Sequence, residues 1–234
     1  MMFEGKTCLI TGAAGNLGRA VAAAFAASGA TLVLLGRDEA NLRAVCGSPS
    51  ERKLHLRADL TEPKSVVDAV DAAIRRFGRI DVLCNLAGSF RMGPPVHETP
   101  ADLWRSMIEV NAGTIINTAR AVAPGMIAAG RGKIINIAAV AGLAGRKDMG
   151  AYSAAKSAVI RLTESMSAEL REQGINVNCI LPSIIDTPEN RAAMPRADPR
   201  RWVAPDALAE VVLFLASEGA RAIHGAAIPV TGLV

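Results

Sequence analysis

Residues Lys6 to Ala20 read KTCLITGAAGNLGRA: an apolar run passes straight into a glycine-rich turn and then into a helical pattern. Gly12 permits a tight turn at the end of the strand, and Gly18 lets the following helix pack closely against it. The N-terminus of that helix then faces the turn with backbone N–H groups unpaired, a setting that suits a diphosphate. Glycines also mark ordinary strand-to-helix turns. The position directly behind an apolar strand is what supports the ligand reading.

Outward from this unit, short aliphatic runs alternate with longer helical patterns. The runs are KTCLIT, TLVLLG, KLHLRA, IDVLCNLAG, GKIINIA, INVNCILP and GAAIPV. Between them stand helical stretches such as RAVAAAFAASG, which ends in a glycine. Another is SVVDAVDAAIRRFG, introduced by a threonine cap and an early proline and closed by a glycine. Repeated βαβ units predict an α/β fold: a Rossmann-type, doubly wound parallel sheet of about seven strands with helices on both faces. With no low-complexity linker and no other repeat, residues 1–234 are expected to form a single domain.

Apolar residues make up 50% of the chain and aromatics only 3%, enough for one sizeable core of aliphatic side chains. Cys8, Cys46, Cys84 and Cys179 lie far apart and form no CxxC pair. They point to a reducing, cytoplasmic setting and to no metal. The start, MMFEGKTCLI, lacks the pattern of an export signal, and no apolar run approaches the length of a membrane span. A net charge of +4 raises nucleic acid as a partner, but the basic residues are scattered singly apart from the cluster between Arg191 and Arg201. Aromatics for base stacking are few. A small-molecule substrate is therefore expected, with neither nucleic acid nor membrane as partner.

The only tyrosine, Tyr152, stands four residues before Lys156 in NIAAVAGLAGRKDMGAYSAAK, which runs from Asn136 to Lys156. Positions i and i+4 share a helix face, so a phenol and an ammonium are held side by side. That pair is able to move a proton.

These motifs together resemble the short-chain dehydrogenase/reductase family, whose usual turn is TGxxxGxG and whose active site carries YxxxK. The resemblance runs from Lys6 to Gly232 with its motifs in order. Asn16 replaces the middle glycine, a residue that tolerates a left-handed backbone better than most. The resemblance implies that Gly12, Asn16, Leu17 and Gly18 meet a dinucleotide, with Asp59 and Leu60 of ADL at its adenine. It places Asn85, Ala87 and Gly88 of CNLAG beside the cofactor, where Leu86 replaces an asparagine. Pro182, Ile185 and Thr187 of LPSIIDT fall where the family meets the nicotinamide, with Ser183 in place of a glycine. Asn111, in EVNAGTIINTARA, falls where the family holds a water next to its catalytic lysine. By residue type alone it is an ordinary polar residue of a helix.

Tyr152, Lys156 and Asn111 are thus the expected catalytic set, Tyr152 and Lys156 also touching the cofactor. A free tyrosine is a poor shuttle at neutral pH unless a neighbouring cation stabilises its phenolate. Lys156 and an oxidised nicotinamide are expected to do so. Tyr152 would then protonate a carbonyl oxygen as hydride arrives and take the proton back in reverse.

At the end of TLVLLGRDEANL the family's acidic position is Gly36, and Arg37 follows. A basic side chain there would pair with a 2′-phosphate, which favours NADP(H). The alternative is a solvent-facing Arg37, with Asp38 binding the ribose of NAD(H).

The family usually shows NISS where this chain has Asn136-Ile137-Ala138-Ala139, so the hydroxyl that polarises the substrate carbonyl is missing. A second resemblance joins it. TPENRAAMPRADPRRW, Thr187 to Trp202, is similar to a segment of dihydropteridine reductases, a branch that also lacks the serine. That branch usually binds NADH through an aspartate, which Gly36-Arg37 does not provide. The readings left open are a reductase of small carbonyl or conjugated imine and quinonoid substrates, a dihydropteridine reductase-like enzyme, a 3-oxoacyl thioester reductase-like enzyme, and a non-catalytic dinucleotide-binding protein. The resemblance further implies a homo-oligomer, tetramer or dimer, paired through the helices of Asn111 and Tyr152 and through the last strand, with His224 near that second interface.

Overall fold

The computed structural model describes residues 1–234. All seven runs form strands: β1 (Thr7–Thr11), β2 (Thr31–Gly36), β3 (Lys53–Arg57), β4 (Val82–Asn85), β5 (Gly132–Ile137), β6 (Ile175–Pro182) and β7 (Ala227–Val230). They make one sheet in the order β3-β2-β1-β4-β5-β6-β7, with every pairing parallel. The order reverses between β1 and β4. That reversal opens a crevice at the carboxyl ends of the strands, where sheets of this type bind ligands.

Helices cover both faces, which is why the strands read as continuous apolar runs rather than alternating ones. Cys8 and Ile10 of β1 and Leu32 and Leu34 of β2 pack with α1 (Asn16–Ala27), α2 (Glu39–Cys46) and α8 (Pro205–Ala216). Leu9, Val33 and Leu35 point the other way, onto α3 (Pro63–Phe77) and α5 (Thr114–Ala129). Against β6 on that second face lies α6 (Gly150–Leu170), through Val159 and Ile160. The remaining helices are α4 (Ala101–Ile108) and α7 (Pro188–Ala193). No helix is long and apolar enough to cross a membrane.

Several local expectations change. The run IDVLCNLAG is strand only over Val82–Asn85; Leu86 to Gly88 leave the sheet because Thr11 Oγ1 accepts the N–H groups of Leu86 and Ala87 at 3.0 and 3.1 Å. Thr61 does not cap α3. Glu62 holds that position without a side-chain bond, and Thr61 donates to Asp59 instead. Asn16 opens α1 as its first residue, and Gly12 alone in this turn takes a positive φ, of 63°. Asn111 lies in no α-helix: Glu109–Gly113 is one π turn joining α4 to α5, a distortion that recurs at functional sites.

Candidate active site

The turn after β1 is shaped for close approach. A Cβ on Gly12 would stand 3.0 Å from the backbone of Ala87, and one on Gly18 only 2.7 Å from Ala13 Cα. No side chain fits at either position. Gly15 caps α1 without a side-chain bond, so the first N–H groups of that helix are left for a ligand. Beside this cradle the loop Leu86–Gly88 is pinned by Thr11, and the ensemble fits the diphosphate of a dinucleotide. Asn16 turns its amide away, donating to Glu189 Oε2 at 2.8 Å.

Tyr152 and Lys156 stand one turn apart in α6 and line a cavity of about 210 Å³. Leu17, Gly88, Pro182 and Ile185 share that cavity, as do Ala139 and Phe90. Phe90 meets the Tyr152 ring edge-on, with centroids 4.9 Å apart. Lys156 is 5% exposed, and its Nζ donates to the carbonyl of Ile137 at 2.9 Å while standing 5.9 Å from the centre of the Tyr152 ring.

Burial penalises both charged forms. It pushes the Tyr152 phenol up to about 12 and the Lys156 ammonium down to about 8. In the protein alone the ammonium is directed at Ile137, and desolvation decides both groups. The phenol therefore keeps its proton at neutral pH.

Asn111 is fully buried. Its amide donates to the carbonyls of Ser89 and Met107, both at 3.0 Å, and its Oδ1 accepts from the Ser89 N–H at 3.2 Å. The π turn thereby ties the loop after β4 to the end of α4. Asn85 is placed differently: its side chain faces inward, donating to Asn136 Oδ1 at 2.9 Å and accepting from Thr118 at 2.8 Å. Asn136 donates in turn to Thr163 of α6 at 2.9 Å. What Asn85 can offer a ligand is backbone.

Arg37, Asp59 and Leu60 lie away from the cavity, beyond the paired ends Gly36 and Arg57 of β2 and β3. Arg37 is exposed and in no ion pair. Asp38 is committed as the cap of α2, accepting from Ala40 and Asn41. Asp59 accepts from Thr61, and these bonds hold its carboxyl below the usual range. The Leu60 carbonyl accepts from Asn117 at 2.9 Å.

Thr187 caps α7. The segment behind it is bonded mainly to itself: Arg191 grips Asp186 at 2.6 and 2.7 Å, Asn190 donates to the Ile185 carbonyl, and Arg200 pairs with Asp198. The basic cluster from Arg191 to Arg201 is therefore partly neutralised from within. The positions shared with dihydropteridine reductases thus belong to α7 and the turns on either side of it.

Several functional contacts escaped the sequence: Thr11 as double acceptor, the Ile137 carbonyl as partner of Lys156, Phe90 against Tyr152, and the polar chain from Thr118 to Thr163. The available signal was asparagines inside otherwise apolar strands, which must find partners once buried.

Comparison with known proteins agrees with this architecture. A family model described as short chain dehydrogenase matches residues 6–197. A 3-oxoacyl-[acyl-carrier-protein] reductase of Thermotoga maritima is 33% identical, over 99% of this chain and 98% of its own. A cis-4-hydroxycyclohexanecarboxylate dehydrogenase of Sinomonas cyclohexanicum is 32% identical, over 98% and 96%. Among solved structures, an NAD⁺-bound xylitol dehydrogenase superposes with a TM-score of 0.91 at 29% identity, covering 99% of this chain and all of that one. The chain belongs to the short-chain dehydrogenase/reductase family, and it is an oxidoreductase of the NAD(P)-dependent kind.

Proposed function

We propose that the protein is an NADP(H)-dependent reductase of small carbonyl or conjugated imine and quinonoid compounds. The observation that carries this reading is the cavity itself, which brings Tyr152, Lys156 and Ala139 together against apolar walls. A bound nicotinamide would supply the hydride. Tyr152, protonated at neutral pH, gives its proton to the substrate atom that receives negative charge. Lys156 keeps a positive charge near that phenol, and Asn111 holds in place the loop that passes beside the lysine. Gly12, Leu17, Gly18, Ala87 and Gly88 offer backbone and close approach to the dinucleotide, while Pro182, Ile185 and Thr187 border its reactive end.

Exposed Arg37 beside Gly36, together with an Asp38 already engaged as a helix cap, supports the 2′-phosphorylated cofactor. The relatives include a reductase of 3-oxoacyl groups and dehydrogenases of alcohols, which supports a carbonyl–alcohol pair. Ala139, buried in the cavity wall without a donor, favours a second reading: an electron-poor acceptor needing little polarisation, as in a dihydropteridine reductase-like enzyme.

The test is oxidation of NADPH and NADH by the purified protein against ketones, quinones, 3-oxoacyl thioesters and quinonoid dihydropterin. Turnover with NADPH is expected, and Tyr152→Phe should lose about a hundredfold or more of it while still binding cofactor. Tight cofactor binding without turnover on any of these substrates would instead favour a non-catalytic dinucleotide-binding protein.

A further inference from the structure

A parallel sheet sends every strand's N-terminal end to the same edge, here the edge opposite the active site. At that edge the starts of β1, β4, β5 and β6 enclose a second cavity of about 360 Å³. Lys6 precedes β1, Arg131 and Lys133 flank the start of β5, Arg171 precedes β6, and Arg221 closes the rim from the loop before β7. Two carboxylates face these five cations. Asp81 is already satisfied in part, accepting from the Thr7 N–H at 2.9 Å and paired with Arg79 at 2.9 Å and Arg131 at 3.9 Å; Glu218 is exposed to solvent.

Lys133 is the uncommon member. It is only 8% exposed, and its ammonium has one partner, Asn176 Oδ1 at 2.8 Å. Asn176 is held by the carbonyls of Arg221 and Ile223, which fixes its oxygen toward the lysine. An ammonium carries three donors, so two remain for a ligand. No carboxylate makes an ion pair with Lys6, Lys133, Arg171 or Arg221. A buried, unpaired cation is costly, and an anion in the cavity would remove that cost.

We propose that this cavity binds a phosphate dianion, free or carried as a monoester of a small molecule. The cations converge from three strand ends and a loop, which suits a tetrahedral dianion met from several sides, and guanidinium forks match its oxygens. The volume exceeds what a bare oxyanion fills. A small organic body can be accommodated beside the apolar Phe3, Val82 and Ala216.

Calorimetric titration with orthophosphate and with glycerol phosphate, against sodium chloride of equal ionic strength, tests this. Because Arg37 offers a second phosphate contact, the Arg37→Ala variant is titrated in parallel. Single-site binding is expected in the wild type and in Arg37→Ala, weakened about tenfold or more in Arg171→Gln/Arg221→Gln. Both replaced arginines are exposed, so the double variant should fold and turn over normally without phosphate. Tighter binding of the ester would assign the ligand an organic body; equal binding would assign the free ion. No isotherm above the chloride control, an isotherm unchanged in the double variant, or one lost only in Arg37→Ala would overturn the proposal.

Discussion

Asn111 and Lys156 close on Gly88 from two sides: a methyl group there would stand 2.8 Å from Asn111 Oδ1 and 3.3 Å from Lys156 Nζ. Gly88 has an ordinary negative φ, so the constraint is space and not backbone strain. The Asn111 amide is held by three hydrogen bonds and cannot swing aside without losing some of them.

Gly88→Ala should therefore displace the Asn111 side chain, at about 1–3 kcal/mol of stability. Turnover should fall by about tenfold or more, because the added methyl crowds Lys156 as well as the loop that Asn111 holds. Thermal melting and steady-state kinetics measure the two effects. Normal turnover in a destabilised variant would separate Asn111 from catalysis and leave it a structural role.

The pH profile follows from burial at two groups. Tyr152 is raised, so it stays protonated through neutral pH; Lys156 is lowered to about 8, so it loses its charge sooner than a surface lysine. For reduction, kcat/KM should be level through neutrality and fall as pH rises past about 8, when the ammonium near the phenol is lost. Oxidation needs the phenolate and should climb with pH over the same range. Profiles in both directions check this, and an oxidation rate that fell with rising pH would exclude Tyr152 as the base.

Much of this was legible in the chain because the strands are buried on both faces and the glycine turn has a steric cause. Tyr152 and Lys156 were legible for a similar reason, since helical spacing is a local property. The π turn at Asn111 was not. It depends on how α4 and α5 meet, and residue type carries no mark of it. Nor was the link from Asn85 to Asn136, 51 residues apart in sequence, because it exists only once β4 and β5 pair in register. The charges from Arg191 to Arg201 read as a basic patch until folding set Asp186 and Asp198 against them.

The proposed preference for NADP(H) rests on Arg37, a guanidinium in solvent at the end of β2. Arg37→Ala should weaken NADPH by about tenfold, the worth of a charge-assisted hydrogen bond, and leave NADH nearly unchanged. Fluorescence titration of both cofactors reads this directly. Equal affinities in the native protein, unaltered by the substitution, would remove the preference for the phosphorylated cofactor and return attention to Asp38, which would have to leave the N-terminus of α2.

Ala139 decides between the two substrate readings. It is 7% exposed, lies in the cavity wall with Tyr152 and Lys156, and follows Ala138 at the end of β5. Ala139→Ser adds a hydroxyl where the family places its polarising donor. If the natural substrate is an ordinary ketone, negative charge develops on its oxygen, and the new donor should raise kcat/KM, by about tenfold or more given what such donors are worth when removed. If the acceptor is an electron-poor imine or quinonoid ring, no oxyanion forms beside residue 139. The hydroxyl then meets no developing charge on the substrate, and activity should hold level or fall. The second outcome is expected, because Ala138 and Ala139 remove both hydroxyls of the family's pair and the cavity walls nearby are apolar. Steady-state kinetics of Ala139→Ser on the best substrate measures it: a clear gain would leave an ordinary ketone reductase working without its usual donor.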